Sequence, residues 1–306
     1  MRLGLVGQLP DAYSRRLHER FPEVEIVDEG LDALLFWGRP LERVIEIVTR
    51  QPDLAWVHQR AAGVQPKLLE ALSGHPTVLT KGTGAHGPAI GEFVAALVLA
   101  FYKNLPGLFR LQERCEWSAD FSFRELAGRT VGIVGLGSAG SSTARVLRAF
   151  GVRLRGLRRT GVPTPEVDRV YVPSELAEFL DGLDVLVIAA PLTAATRGLI
   201  GGPELARLQG GALLVNVGRG PIVDQVAMLA ALDNGQLGGA ALDVFESEPL
   251  PPDSALWRMP NVIVSPHCAD STPESPQRSL EIFLDNLGRF RRGEPLLNVV
   301  DREEGY

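Results

Sequence analysis

Three polar residues stand just past three apolar runs in the second half of the chain. Arg219 follows LLVNVG, Glu248 follows ALDVFES, and His267 follows VIVSP. Each run reads as a buried parallel strand, and ligands of open α/β sheets bind beyond the carboxyl ends of such strands. A histidine there can give a proton to a carbonyl oxygen as hydride reaches the carbon. A hydrogen-bonded carboxylate orients the imidazole and stabilises its charged form. An arginine can grip a carboxylate through paired donors and polarise the carbonyl beside it. Taken singly, each has a plainer reading: a solvated loop arginine, a capping histidine, a surface glutamate before proline. Delivery to one sheet edge raises the set above those readings.

The stretch Thr130 to Gly161 organises that edge. It opens with an apolar run, Val131 to Val134, followed by GLGSAG. A helical pattern comes next (Ala144, Val146, Leu147, Phe150), then a second strand-like run, Val152 to Leu157. In this strand–turn–helix–strand context the glycines read as a dinucleotide fingerprint rather than a ligand-free βα turn. Gly135 permits the tight turn, Gly137 lets backbone approach a pyrophosphate, and Gly140 allows close helix–strand packing. The helix start at Ser138 and Ala139 supplies amide donors for phosphate charge. Further along, Pro191 and Thr196 of PLTAAT are expected to line the cofactor, with Val217 and Gly218 before the arginine. Asp243, at a strand end, could meet the nicotinamide amide or ribose.

The position about 18 residues beyond Gly140 sets cofactor choice. NAD-preferring domains place an acid there to accept from the ribose diol. This chain has Arg158, Arg159 and Thr160. Two guanidiniums and a hydroxyl suit a 2′-phosphate, so NADP is expected over NAD. The alternative is that Arg158 stacks on adenine with NAD still in use.

At 306 residues the chain has room for two domains. Its 45% hydrophobic and 22% charged content is that of a globular protein with a full core. A net charge of −6 argues against non-specific nucleic-acid binding. The two cysteines, Cys115 and Cys268, lack metal-ligand spacing, so neither a metal site nor a disulfide framework is expected, and a reducing cytoplasm is the default. No signal peptide or membrane span is read. Strands and helices alternate from Leu3 to Thr80 and again after the fingerprint, which implies parallel sheets covered on both faces.

The expected fold is therefore α/β: two doubly wound parallel-sheet domains, a Rossmann-type cofactor domain inserted into a flavodoxin-like substrate domain. The boundaries are set at 1–98 plus 267–306 and at 99–266. Pro88 to Leu105 reads as one long helix, and Pro106 to Phe123, with Trp117 and Phe121, as an excursion from the surface. Trp37, Trp56 and Trp257 read as core, Cys268 as packing, and Lys81 and His86 as loop residues. Arg155, inside a central strand, has no account at this level.

GLGSAG, VNVGRGPIVD (Val215 to Asp224), ALDVFESEPLP (Ala241 to Pro251) and SPHCADST (Ser265 to Thr272) together resemble the D-isomer-specific 2-hydroxyacid dehydrogenases, most similarly the glyoxylate/hydroxypyruvate reductases. The resemblance runs from about Ala55 to the C-terminus. It implies that Arg219 binds a 2-oxo acid, that His267 is the acid/base and that Glu248 is its partner. It also implies that backbone amides of Ala62, Gly63 and Val64 hold the substrate carboxylate, and that two copies pair through the excursion with Trp117. The substrate loop reads AAGVQP, with Gln65 where many relatives carry an acid or Asn, and KGTGAHGPAI (Lys81 to Ile90) also departs from the commoner form. Both departures bear on substrate identity. The leading expectation is NADPH-dependent reduction of a small 2-oxo acid. Alternatives are a nucleotide-sensing, corepressor-like binding protein, and a dehydrogenase of a phosphorylated hydroxy acid, for which Arg60 is the only arginine near the loop.

Overall fold

A computed structural model describes residues 1–120 and 122–302. Phe121, expected within the excursion, lies outside the described residues, as do 303–306. The chain divides into two compact units, Met1–His86 with Thr272–Tyr306, and Gly87–Ser271.

In the smaller unit, β1 (Arg2–Val6), α1 (Asp11–Arg20), β2 (Glu25–Ile26), β3 (Ala33–Phe36), α2 (Leu41–Arg50), β4 (Trp56–Gln59), α3 (Pro66–Ala71) and β5 (Val78–Lys81) alternate as expected. Every strand pair is parallel, in the order β2-β1-β3-β4-β5. That is the flavodoxin-like order. Successive strand residues face opposite sides. Leu34 and Phe36 therefore pack with Val44 and Val48 of α2, while Ala33 and Leu35 join Leu17 of α1.

The larger unit opens with α4 (Gly87–Tyr102) and α5 (Leu105–Glu113), then β6 (Thr130–Val134), α6 (Ser138–Arg148), β7 (Arg153–Leu157), β8 (Arg169–Tyr171), α7 (Leu176–Leu180), β9 (Val185–Ile188), α8 (Gly202–Leu205), β10 (Ala212–Asn216), α9 (Gln225–Asp233), β11 (Leu237–Leu242) and β12 (Val262–Val264). Its seven strands run β12-β11-β10-β9-β6-β7-β8, all parallel. Strand order reverses at β6, so the glycine turn sits at the topological switch point of a Rossmann-type sheet. The helix expected over Pro88 to Leu105 is α4, which stops at Tyr102, and the stretch expected as a surface excursion begins with α5. Asn104 takes a left-handed φ of 45°, and its amide occupies the space a Gly107 side chain would need. Asparagine tolerates that conformation better than most residues.

The unit boundaries fall at 86/87 and 271/272 rather than at 98/99 and 266/267. The reason is packing. α4 lies against α6 so closely that a Cβ on Gly87 or Gly91 would meet Ser138 or Ser142. Val94 and Val98 share a core cluster with Ala144 and Leu147, and Ala269 belongs to the same cluster. Helix α10 (Glu274–Arg291) returns to the smaller unit and buries Leu280, Phe283, Leu284 and Leu287 over its open face. The final stretch closes on the same unit, with the Val300 amide donating to Leu79. Among the described residues no single helix is long and apolar enough to cross a membrane.

Candidate active site

The phosphate turn has the geometry its glycines imply. Gly135 sits at φ 91°, and its Cα approaches Ala189–Ala190 too closely for a side chain. A Cβ on Gly140 would collide with the Gly135 carbonyl, whereas Gly137 faces open space. Helix α6 starts at Ser138 with no side-chain cap, so its first amides, Ser138 and Ala139 among them, point at that space. This cradle fits a dinucleotide diphosphate. β7 then delivers Arg158, whose amide donates to the Tyr171 carbonyl, followed by exposed Arg159 and Thr160.

Arg219 is exposed, but the turn that carries it is built from buried groups. Asn216, 2% exposed, accepts from the Gly218 amide at 3.0 Å and donates to the Arg219 carbonyl at 3.1 Å. Val217 donates its amide to Ile188, and Gly218 lies against Ala190 with no room for a side chain. The Arg219 guanidinium donates to the Gly218 carbonyl at 2.7 Å.

His267 Nδ1 lies 2.7 Å from Glu248 Oε2, both side chains partly solvent-facing. The other Glu248 oxygen accepts the Phe245 amide at 3.0 Å. Burial pushes the Glu248 carboxyl up, but the His267 and Phe245 hydrogen bonds and the nearby charges of His267 and Arg219 outweigh it and hold it below its ordinary value. With a carboxylate on Nδ1, Nε2 is the nitrogen left to exchange a proton. His267 itself takes a φ of 52°, which a β-branched or bulky residue rarely adopts.

What holds His267 there is Asp243. Its carboxylate, in a residue 1% exposed, accepts from Ser265 Oγ at 2.6 Å and from the Cys268 and Ala269 amides at 2.9 and 3.0 Å. Its carbonyl accepts the His267 amide at 2.9 Å. The structure thus gives Asp243 a turn-building place beyond the cofactor contact expected of it. Thr196 is likewise engaged within its own loop: its hydroxyl donates to the Pro191 carbonyl at 2.7 Å and accepts the Thr193 amide at 2.8 Å. The Cys268 thiol is pushed up, first by burial and then by Asp243. Trp37 and Trp56 are core, but Trp257 is 51% exposed. It rides a short 3-10 turn, where its indole N–H donates to the Pro251 carbonyl.

Ala62, Gly63 and Val64 form a turn between β4 and α3 of the smaller unit. Among the described residues, none accepts a hydrogen bond from their three backbone amides. Arg60, just before them, lays its guanidinium over the Trp37 ring at 5.5 Å. Asn216 and the turn-building side of Asp243 escaped the sequence reading because both look like the polar ends of apolar strands.

A Rossmann-type sheet with a glycine phosphate turn at its switch point defines a dinucleotide-binding protein of the doubly wound class. The sequence profile of the D-isomer specific 2-hydroxyacid dehydrogenase NAD binding domain matches residues 95–269. Glyoxylate/hydroxypyruvate reductase A of Salmonella typhi is 34% identical over 300 residues, covering 94% of this chain and 92% of that one. A D-isomer specific 2-hydroxyacid dehydrogenase from Xanthobacter autotrophicus, solved with NADPH and MES, superposes with a TM-score of 0.85 at 32% identity, covering 100% of this chain and 99% of the other. An NADPH-dependent glyoxylate/hydroxypyruvate reductase from Sinorhizobium meliloti, solved with NADP and sulfate, matches with the same TM-score at 31% identity and the same coverage. The chain belongs to the D-isomer-specific 2-hydroxyacid dehydrogenase family.

Proposed function

We propose that this enzyme reduces small 2-oxo acids, of the glyoxylate or hydroxypyruvate kind, to D-2-hydroxy acids with NADPH as the preferred donor. The observation that carries the reading is the 2.7 Å pairing of His267 Nδ1 with Glu248, whose carboxyl also feels the charge of Arg219. The names of the relatives and the NADP or NADPH bound in similar structures support it.

Bound, the reduced nicotinamide supplies the hydride. Glu248 keeps a hydrogen on Nδ1 of His267, so Nε2 delivers the proton to the substrate oxygen as negative charge develops there. Arg219 offers a rigid fork of donors to the substrate carboxylate and carbonyl. The amides of Ala62, Gly63 and Val64 offer further donors to a carboxylate. Gly135, Gly137, Ser138, Ala139 and Gly140 hold the diphosphate, and Arg158, Arg159 and Thr160 face the 2′-phosphate, with NAD a poorer fit. Arg60, the arginine beside the loop, is engaged with Trp37, which favours an unphosphorylated substrate. Trp117, 98% exposed, and Phe109, 58% exposed, support pairing of two copies through the segment that bears them.

The test is oxidation of NADPH and NADH by the purified protein with a panel of small 2-oxo acids. Turnover is expected with NADPH, and His267→Ala should lose about 10²–10⁴-fold in rate. Absence of turnover with every acid, or full activity in His267→Ala, would sink the reading.

A further inference from the structure

We infer that Gln59 is the positioning residue for substrate carboxylate binding: it turns the backbone amides of the Ala62–Gly63–Val64 loop outward. The inference rests on the proposed role of that loop. Gln59 is the last residue of β4 and is 3% exposed. Its Nε2 donates to the Ala61 carbonyl at 3.2 Å and to the Gly63 carbonyl at 2.5 Å. Both partners are acceptors, so the side-chain atom between them must be the NH₂, and its two hydrogens are both used.

Two alternate carbonyls are thereby drawn toward one buried point. The peptides Ala61–Ala62 and Gly63–Val64 are trans, and a planar trans peptide holds its N–H opposite its C=O. Pulling the Ala61 and Gly63 oxygens inward therefore turns the Ala62 and Val64 amides away from Gln59. Those amides have no acceptor among the described residues. Val64 is fastened from the other side, its side chain packed on the α2–α3 core.

The loop is braced from β5 as well. The Gly82 amide donates to the Gln59 carbonyl at 3.0 Å and to the Ala61 carbonyl at 3.3 Å, and a Cβ on Gly82 would run into the Arg60 carbonyl. Gly82 of the KGTG stretch is thus the point against which the loop is laid. One buried side-chain amide sets the direction of two donors without touching the ligand. Preset donors gain affinity for an anion because little ordering remains to be done on binding.

The experiment compares wild type with Gln59→Met, which keeps length and neutrality but removes both donors. Steady-state KM for glyoxylate and hydroxypyruvate, KM for NADPH, kcat, Ki for oxalate as a non-reacting carboxylate, and Tm are measured together. The expected result is a rise of about tenfold in KM for the 2-oxo acid and in Ki for oxalate, with kcat and KM for NADPH within about threefold of wild type. Gln59→Glu, a near-isostere with at most one donor for the two carbonyls, should raise the same two constants, and it serves if the methionine variant does not fold. Unchanged KM and Ki in wild-type-like protein would overturn the inference while leaving the oxo-acid reading intact. A parallel fall in kcat and NADPH affinity would also overturn it, by marking a general defect. Wild type inactive on every 2-oxo acid would instead remove the reading beneath it.

Discussion

Gly220 and Phe245 share one space: a side chain on Gly220 would overlap the carbonyl of Phe245. Gly220 follows Arg219, and Phe245 donates its amide to Glu248. The arginine loop and the carboxylate loop are therefore registered against each other through bare backbone. Gly220→Ala must push them apart. The expected outcome is a stability loss of about 1–3 kcal/mol, as for overpacking elsewhere, and a larger proportional loss in kcat/KM. Urea midpoints and steady-state rates check this, and unaltered values for both would mean that the loops yield freely.

Glu248 spends one oxygen on His267 and the other on the Phe245 amide. The amide made by Glu248→Gln has a single acceptor oxygen and can serve only one of them. A fall of about tenfold or more in kcat is expected. Because the folded carboxyl lies below its ordinary 4.5, its ionised form adds stability that is complete above that pH and fades as pH drops through the lower folded value. The Tm gap between wild type and variant should narrow as pH falls below 4.5. A gap that widens in acid would contradict the assignment.

His58 lies fully buried on β4, with Nδ1 2.8 Å from Thr80 Oγ1 and its ring 5.4 Å from that of Phe283. Burial drives its pKa from 6.5 down to about 3. Between those values the unfolded chain takes up a proton that the folded chain refuses. Stability should therefore fall with falling pH across that window, by at most about 1.4 kcal/mol per unit from this group. His58→Asn, which keeps a polar partner for Thr80 and cannot titrate, should flatten the slope. Urea unfolding at about pH 7 and about pH 5 measures the difference.

Arg158→Asp combined with Arg159→Ala should move preference from NADPH toward NADH. A carboxylate at the end of β7 accepts from a ribose diol and repels a 2′-phosphate. The ratio of kcat/KM for the two donors is the readout. A ratio that stays put would place the selector elsewhere.

The fold was legible where local pattern and burial agree. Apolar runs located all but the ends of the strands, and the helical spacing of Leu280, Phe283, Leu284 and Leu287 marks the face that the last helix buries. The placement of Arg219, Glu248 and His267 past the ends of β10, β11 and β12 was legible because each follows an apolar run. The break at Asn104 was not, since Leu99 to Leu105 keeps helical periodicity across it. Arg155 also needed coordinates. Its guanidinium reaches off β7 to the Phe179 and Asp181 carbonyls at 3.2 and 2.9 Å, closing the C-terminus of α7. Asn216, Asp243 and Gln59 share the same obscurity: each acts by bending backbone, and a residue type does not state which carbonyl or amide it will meet.

The glycine seam between α4 and α6 bears on the entropy of nucleotide binding. Gly87 and Gly91 press one side of α6, and Gly140 seats the other against the Gly135 turn. The first helical turn has no slack in which to search for its ligand. In the proposed diphosphate-binding role, its ordering cost is met when the chain folds, so an arriving ligand would encounter donors already aimed. Affinity for the nucleotide is in this sense a property of helix packing, open to change from α4, which carries none of the donors.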